Sequence, residues 1–562
     1  MVPAVTEAEP YYDLGTYHRP VDTPAQQAQT WFDRGLIWAY AFNHDEAIRC
    51  FERALQFDPD LTIARWGIAY AVGPNYNKAW EAFDPVDLAT SLTRARAELD
   101  QAAGGRASTI ERALIAALRQ RFPTADPEDT EALTAGHAAY ADAMAALAAE
   151  HPGDIDVQAL AADALVNVTA WALWDGRTGE PAPGSRVLEA KAILDAALTT
   201  AEGRSHPGIL HLYIHAMEMS ATPQDALPAA DLLRGLVPDA GHLQHMPSHI
   251  DVLCGDYHNS VVANQAAVQA DRKFVERSGA LNFYSLYRAH DLHFVVYSAM
   301  FAGDYQTASS AADELARQLT PELLAVPSPP MADWLEAFVP LRVHVLVRFG
   351  RWDDLIAEPL PADTELYSTT TATIHYGRGV AHAAKGELAQ ARTEREAFAA
   401  AYRRIPESRY LFNNTSLDIL AVAAAMLDGE IAYREGKFDD AFAHLRRAIE
   451  LDDGLPYDEP WGWMQPTRHA YGALLLEQGR VEEAAGVYAA DLGLDPTLNR
   501  SSHHPGNVWS LHGYHECLQR LGRDAEAAIV AQQLDLALAR ADVPIVASCA
   551  CRLDVAPTCC GG

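Results

Sequence analysis

The stretch "WFDRGLIWAYAFNHDEAIRCFERALQFDP", residues 31–59, decides the fold. Apolar residues recur in it at helical spacing, interrupted at "FNHDE", which predicts two short helices joined by a turn. Gly35 and Trp38 fall on the first helix, Ala47, Phe51 and Ala54 on the second, and Pro59 closes the unit. Small residues let the two helices approach closely while an aromatic ring fills the gap between them.

Working outward, the same turn recurs as "LCGDYHNS", "FAGDYQTA", "REGKFDDA", "EQGRVEEA" and "RLGRDAEA". Aligned on the turns, Gly255 pairs with Ser260, Gly303 with Ala308, Gly386 with Ala391, Gly436 with Ala441, Gly479 with Ala484 and Gly522 with Ala527. The spacing resembles the tetratricopeptide repeat, a helix-turn-helix unit of 34 residues that stacks into a superhelix. The expected fold class is therefore all-α, a tetratricopeptide-like helix-turn-helix solenoid.

Five segments follow from this reading. Residues 1–80 hold the first unit, 81–205 form a less regular helical region, and 206–323 carry histidine-rich units. Residues 324–545 hold the C-terminal units and 546–562 a cysteine-rich tail. "DGRTGEPAPGSR" (175–186) reads as a long loop, and "LAVPSPPMADW" (324–334) and "AEPLPADTELY" (357–367) read as breaks between helix groups.

Of the 562 residues 49% are hydrophobic and 21% charged, enough apolar material for a large core. The 43 basic and 76 acidic side chains give a net charge of −33, a surface that repels phosphate backbones and anionic lipid. Nucleic acid and membrane are thus not expected as partners. No basic segment followed by an apolar run opens the chain, and no apolar stretch reaches membrane-spanning length, so the expected location is the cytoplasm.

The chemistry concentrates in "HLYIHAMEMS", "GHLQHMPSHI" and "HDLHF". Residues 206–293, under a sixth of the chain, hold 9 of its 22 histidines. His211 and His245 lie 34 residues apart, as do His215 and His249, so each pair shares a register position in consecutive repeats. His242, Glu218, His290 and His293 fall on the same helix face. At about 100° per residue, His211, His215 and Glu218 span only about 60° of their helix, as do His242, His245 and His249. In tetratricopeptide proteins these positions line the concave groove, and the resemblance implies the same here.

Seven histidines and one carboxylate form a candidate metal-ligand set: His211, His215, Glu218, His242, His245, His249, His290 and His293. Imidazole donors suit copper, zinc or iron better than magnesium or calcium. Eight donors exceed what one ion takes, so two nearby ions are expected, with copper favoured and zinc or iron as alternatives. A single carboxylate argues against a carboxylate-rich di-iron site. Tyr297 is the candidate catalytic residue, and Asp251 and Asp291 are candidates to orient ligand imidazoles. Tyr213 and Arg288, also nearby, read as packing and solvated groups. His344, His469 and His512 recur at groove positions farther along, and His503 and His504 read as solvated. The plain alternative is a polar groove face with no metal at all.

In the tail, Cys549, Cys551, Cys559 and Cys560 offer soft ligands for copper(I) or zinc, and its end is similar to the cysteine-pair tails of mercuric reductases. Together with "AFNHDEAIRCF" and "GIAYAVGPNYN", the histidine strings resemble a group of bacterial tetratricopeptide-repeat proteins over most of the chain. The resemblance implies an α-solenoid. It implies peptide binding less strongly, because peptide clamps place Lys, Arg and Asn in the groove where this chain places His and Glu. The expected function is a metal-dependent enzyme, a copper or iron oxidoreductase acting on a small molecule or peptide in the groove. A non-catalytic scaffold binding a protein segment and a metal-storage protein are the alternatives.

Overall fold

The computed structural model describes residues 11–555. Helices follow one another along the whole of it, and the only strands among the described residues are the two-residue pair Tyr410–Leu411 and Asn414–Thr415. The all-α solenoid expected from the repeats is the observed architecture.

The first unit shows why these residues make a hairpin. Helix Gln26–Tyr40 ends before Asn43, whose side chain accepts a hydrogen bond from the Glu46 backbone N–H at 3.3 Å and so caps helix His44–Phe57. The Phe51 ring then sits between Gly35 and Gly67, the latter on the next helix, Thr62–Ala71; a Cβ on either glycine would overlap it. Near the other end of the chain, Tyr488 is gripped in the same way between Gly472 and Gly513. The six turn glycines aligned in sequence, Gly255, Gly303, Gly386, Gly436, Gly479 and Gly522, all have φ between 69° and 83°. This left-handed conformation ends a helix and is costly for any residue with a Cβ.

The array closes on itself. Near the N-terminus, the Asp13 backbone N–H donates to Asp239 at 2.7 Å, and Arg19 donates to Asp154 and Asp156 at 2.8 and 3.0 Å. From the other end, Arg500 donates to the Leu253 carbonyl, Trp509 Nε1 to the Met300 carbonyl and the Tyr305 N–H to Asp542, each at 2.7 Å. Three apolar clusters overlap along the chain, the first spanning residues 12–287, the second 252–464 and the third 432–551. The strand pair and the loop before helix Thr467–Glu477 turn inward onto helix Ser285–Ala302: Phe412 meets His290 with ring centroids 4.7 Å apart, and Met464 Sδ lies 2.9 Å from His293 Nε2. Among the described residues no helix is long and apolar enough to cross a membrane.

Candidate metal centre

Three successive repeats deliver the histidines. His211, His215 and Glu218 come from helix Pro207–Glu218 and His290 from helix Ser285–Ala302. The stretch expected to be one helix is two: Gly241–His245 carries His242 and His245, and Pro247–Cys254 carries His249. The break falls at Met246, because Pro247 has no N–H to continue the ladder. Met246 keeps helical dihedrals, φ −50° and ψ −38°, so the three rings still gather on one side.

The expected open groove is instead a buried seam. His211, His215, Glu218, His242 and His245 have no exposed surface, His249 has 1% and His290 has 7%. Superhelix closure buries them: Phe42 packs against His211, His215 and His242 with centroids 4.5, 5.9 and 5.4 Å away, and Tyr76 lies 4.5 Å from His215. Phe294 and Phe412 cover the other end.

Within the seam the rings form two trios. Ligand atoms of His211, His215 and His242 lie within 4.8 Å of one another, as do those of His245, His249 and His290; Glu218 joins His215 and His249 in a third grouping at the same limit. Hydrogen bonds fix most of the Nδ1 atoms. His211 Nδ1 donates to the Tyr40 carbonyl at 2.6 Å, and His215 Nδ1 faces Glu218 at 3.0 Å. His245 Nδ1 donates to Asn264 Oδ1 at 2.6 Å, an orientation set by the Asn264 amide nitrogen donating to the Ser260 carbonyl. His249 Nδ1 lies 2.8 Å from Glu218 and also contacts Glu459. What remains are Nε2 atoms turned toward one another: His211 and His242 at 3.1 Å, His245 and His249 at 2.7 Å. His215 Nε2 is buried with no protein partner. Orienting Nδ1 through a carbonyl, amide or carboxylate leaves Nε2 as the ligand atom, the usual arrangement at metal-binding histidines.

Desolvation holds His211, His215, His242, His245 and His290 well below the usual histidine range, with neighbouring imidazoles adding to the effect for each. These rings are neutral, the form that binds metals. Burial and then the Glu459 carboxylate push Glu218 up to about 8. Asp291 Oδ1 lies 3.4 Å from His245 Nδ1, and burial and Asp271 raise its pKa well above the carboxylate range.

Several residues singled out in the sequence lie elsewhere. His293 leaves the trios for Met464 and the edge of Phe338, because it faces the inward-turned C-terminal loop. Tyr297 packs its ring on Phe301 at 4.4 Å and faces Asp491, two turns from His290, so nothing places it among the reacting groups. Asp251 pairs with Arg234 at 2.5 Å. Arg288 is buried and donates to Ser285 and Gln318. Tyr213 packs in the first apolar cluster and His344 against Trp463. His469 and His504 both contact Asp491, at 2.9 and 2.8 Å, so His504 is not a solvated turn residue. In the tail, Cys549 and Cys551 are joined as a disulfide, which leaves no thiolate at either position, and Cys559 and Cys560 lie outside the described residues. Ser548 is docked against Tyr488 and the His469 carbonyl, at 2.5 and 3.0 Å.

Sequence reasoning missed Glu459. It gives the centre a second carboxylate, but it stands 210 positions beyond His249 in a loop without periodicity, and only closure of the superhelix brings it in. It also missed a cavity of about 500 Å³ beside the second trio, on whose wall His249, His290, Asp458 and Glu459 stand with a set of aromatic side chains.

The tetratricopeptide repeat family model matches residues 28–61, the unit whose hairpin is described above. Among solved structures, the human IFIT1 dimer with m7Gppp-AAAA is 11% identical, covers 93% of this chain and 92% of its own, and has a TM-score of 0.30. Yeast Tom70 is 10% identical over 91% of this chain and 92% of its own, with a TM-score of 0.27. The APC/C hetero-tetramer Cut9-Hcn1 is 12% identical over 93% and 94%, with a TM-score of 0.28. No curated protein matches the sequence.

Proposed function

We propose that this protein is a metal-dependent enzyme: the two histidine trios hold two neighbouring transition-metal ions, and the adjoining cavity takes a small-molecule substrate. The observation that carries this reading is the 2.7 Å contact between His245 Nε2 and His249 Nε2. Asn264 accepts from His245 Nδ1 and Glu218 faces His249 Nδ1, so the two Nε2 atoms converge on one gap that a single cation, a proton or a metal ion, fills. The Nε2 atoms of the remaining histidines turn toward the same seam, which suits metal ions. The imidazole-rich donor set favours copper, with zinc and iron as competing ions.

Each trio leaves an ion short of full coordination, which suits a catalytic site. Copper or iron bound there would supply one-electron chemistry, with dioxygen as the electron acceptor and the small molecule as the reductant. The protein's own residues do the rest: Asn264, Tyr40 and Glu218 hold the imidazoles in register, and the apolar rings of Phe42, Phe294 and Phe412 keep bulk water off the seam. Open peptide-binding grooves display their polar residues to solvent, whereas these are enclosed. That favours a metal centre over a non-catalytic scaffold.

The test is elemental analysis of untagged native protein together with His242→Gln and His290→Gln variants, whose amide side chains limit the void left in the seam. About two equivalents of copper, zinc or iron are expected in the native protein, and each variant should lose about one while keeping its helical circular dichroism. Absence of metal after anaerobic reconstitution with each ion overturns the reading.

A further inference from the structure

We infer that the cavity beside the second trio is built for a planar, non-anionic aromatic molecule carrying a hydroxyl or amino group, its ring held by the aromatic wall and its polar substituent turned toward His249, His290 and Glu459. This deepens the reading of the cavity as the substrate site of a metal centre, and rests on it.

The first support is the composition of the wall. Trp171, Phe283, Tyr287, Trp334, Tyr410 and Phe412 line a cavity of about 500 Å³, within the range of small-molecule sites. Ring faces and edges on several sides suit a flat π-system, which gains stacking and edge contacts that a saturated ring of equal size does not. The polar groups are gathered at one end, where His290 Nδ1 and the Glu459 carboxyl oxygens are buried and, among the described residues, His290 Nδ1 has no hydrogen-bond partner. That polarity matches a ring with one polar substituent.

The second support is backbone strain. Among the described residues only three that are not glycine have positive φ: Phe42 at 55°, Trp171 at 58° and Phe412 at 49°. All three are aromatic and all meet the histidines, Phe42 behind the first trio, Trp171 with its centroid 6.2 Å from His215, and Phe412 at 4.7 Å from His290. A bulky residue in this region is strained and persists only where its surroundings hold it. Two of the three stand on the cavity wall, so the chain carries strain at the positions that aim rings into it.

The third support is charge. Among the described residues Lys78 is the only cation on the wall, and it is occupied: its ammonium pairs with Asp87 at 2.5 Å and lies over the rings of Phe83 and Phe283. Three carboxyl groups, Glu81, Asp458 and Glu459, share the lining. An anionic ligand finds no free partner.

The probes are 2-naphthol, its saturated counterpart decahydro-2-naphthol and its anionic relative 2-naphthoate, titrated into the full chain by calorimetry, both as isolated and after chelator treatment. 2-Naphthol should bind one to one, with the saturated alcohol and the naphthoate each at least tenfold weaker. Trp171→Leu and Phe412→Leu, which keep apolar bulk, should each weaken 2-naphthol about five- to tenfold with unchanged melting curves. Equal binding of the saturated alcohol, tighter binding of the naphthoate, or no 2-naphthol binding overturns the inference, even if two metal ions are found. Selective 2-naphthol binding in a protein that never holds metal supports the aromatic site and removes the metalloenzyme reading instead.

Discussion

The contact between His245 and His249 is costly only if it is empty and favourable with a proton or a metal ion in it. At 2.7 Å, with Asn264 on one Nδ1 and Glu218 and Glu459 on the other, either a proton or a metal ion must occupy the gap. That Glu218 reaches about 8 is the same fact seen from the carboxylate side: without a metal, the buried cluster retains protons. A histidine away from the cluster isolates the cost of burial by itself. His344 is held at about 4 by desolvation, with its ring edge-on to Trp463 at 5.0 Å. Its folded pKa lies below the unfolded value of about 6.5, so unfolding takes up a proton in that window. The stability it contributes is complete above pH 6.5 and is lost as pH falls toward 4. Relative to His344→Phe, which does not titrate, the native protein should lose about 1.4 kcal/mol per pH unit across this window. Paired melts at pH 7.5 and 5 check this, and a difference independent of pH would contradict it.

Packing of one hairpin against the next is set by a ring between two glycines. Tyr488 sits between Gly472 and Gly513, and its hydroxyl reaches Ser548 at 2.5 Å. Gly513→Ala should therefore cost about 1–3 kcal/mol, because the added methyl meets a ring that cannot retreat. In a solenoid that loss is local, so urea unfolding should show an earlier first transition confined to the C-terminal repeats. An unchanged profile would mean that the ring has room to shift. This level of structure was legible in the sequence because its determinants are local: Gly35 and Phe51, or Gly472 and Tyr488, lie 16 residues apart and recur with the repeat. The histidines sharing a face were legible for the same reason. Their burial was not, nor were Glu459, Trp171 and Phe412, since these belong to loops with no period and meet His249, His215 and His290 across 210, 44 and 122 residues of sequence. His293 shows the limit most clearly. Its register matches that of His245, yet Met464, 171 residues away, takes its Nε2.

Closure of the superhelix is a property of the whole molecule, and two glycines with the same turn conformation separate it from local effects. Gly255 has φ 83° and packs against the Pro505 carbonyl, while Gly436 has φ 74° and no neighbour for an added Cβ. Gly255→Val and Gly436→Val share the backbone penalty, but only the first pushes the C-terminal repeats off the middle ones. Small-angle scattering should show a larger radius of gyration for Gly255→Val alone. Equal dimensions in both variants would mean that closure does not depend on this contact.

The two trios also differ in depth. His249 and His290 stand on the cavity wall, whereas neither His211, His215 nor His242 does, and Phe42, Tyr76 and Tyr287 close over that inner set. Ions in such a seam would sit in series along one corridor rather than in parallel. Traffic would then have an order: the inner position would fill first and empty last, and whatever occupied the cavity would be a stopper for both.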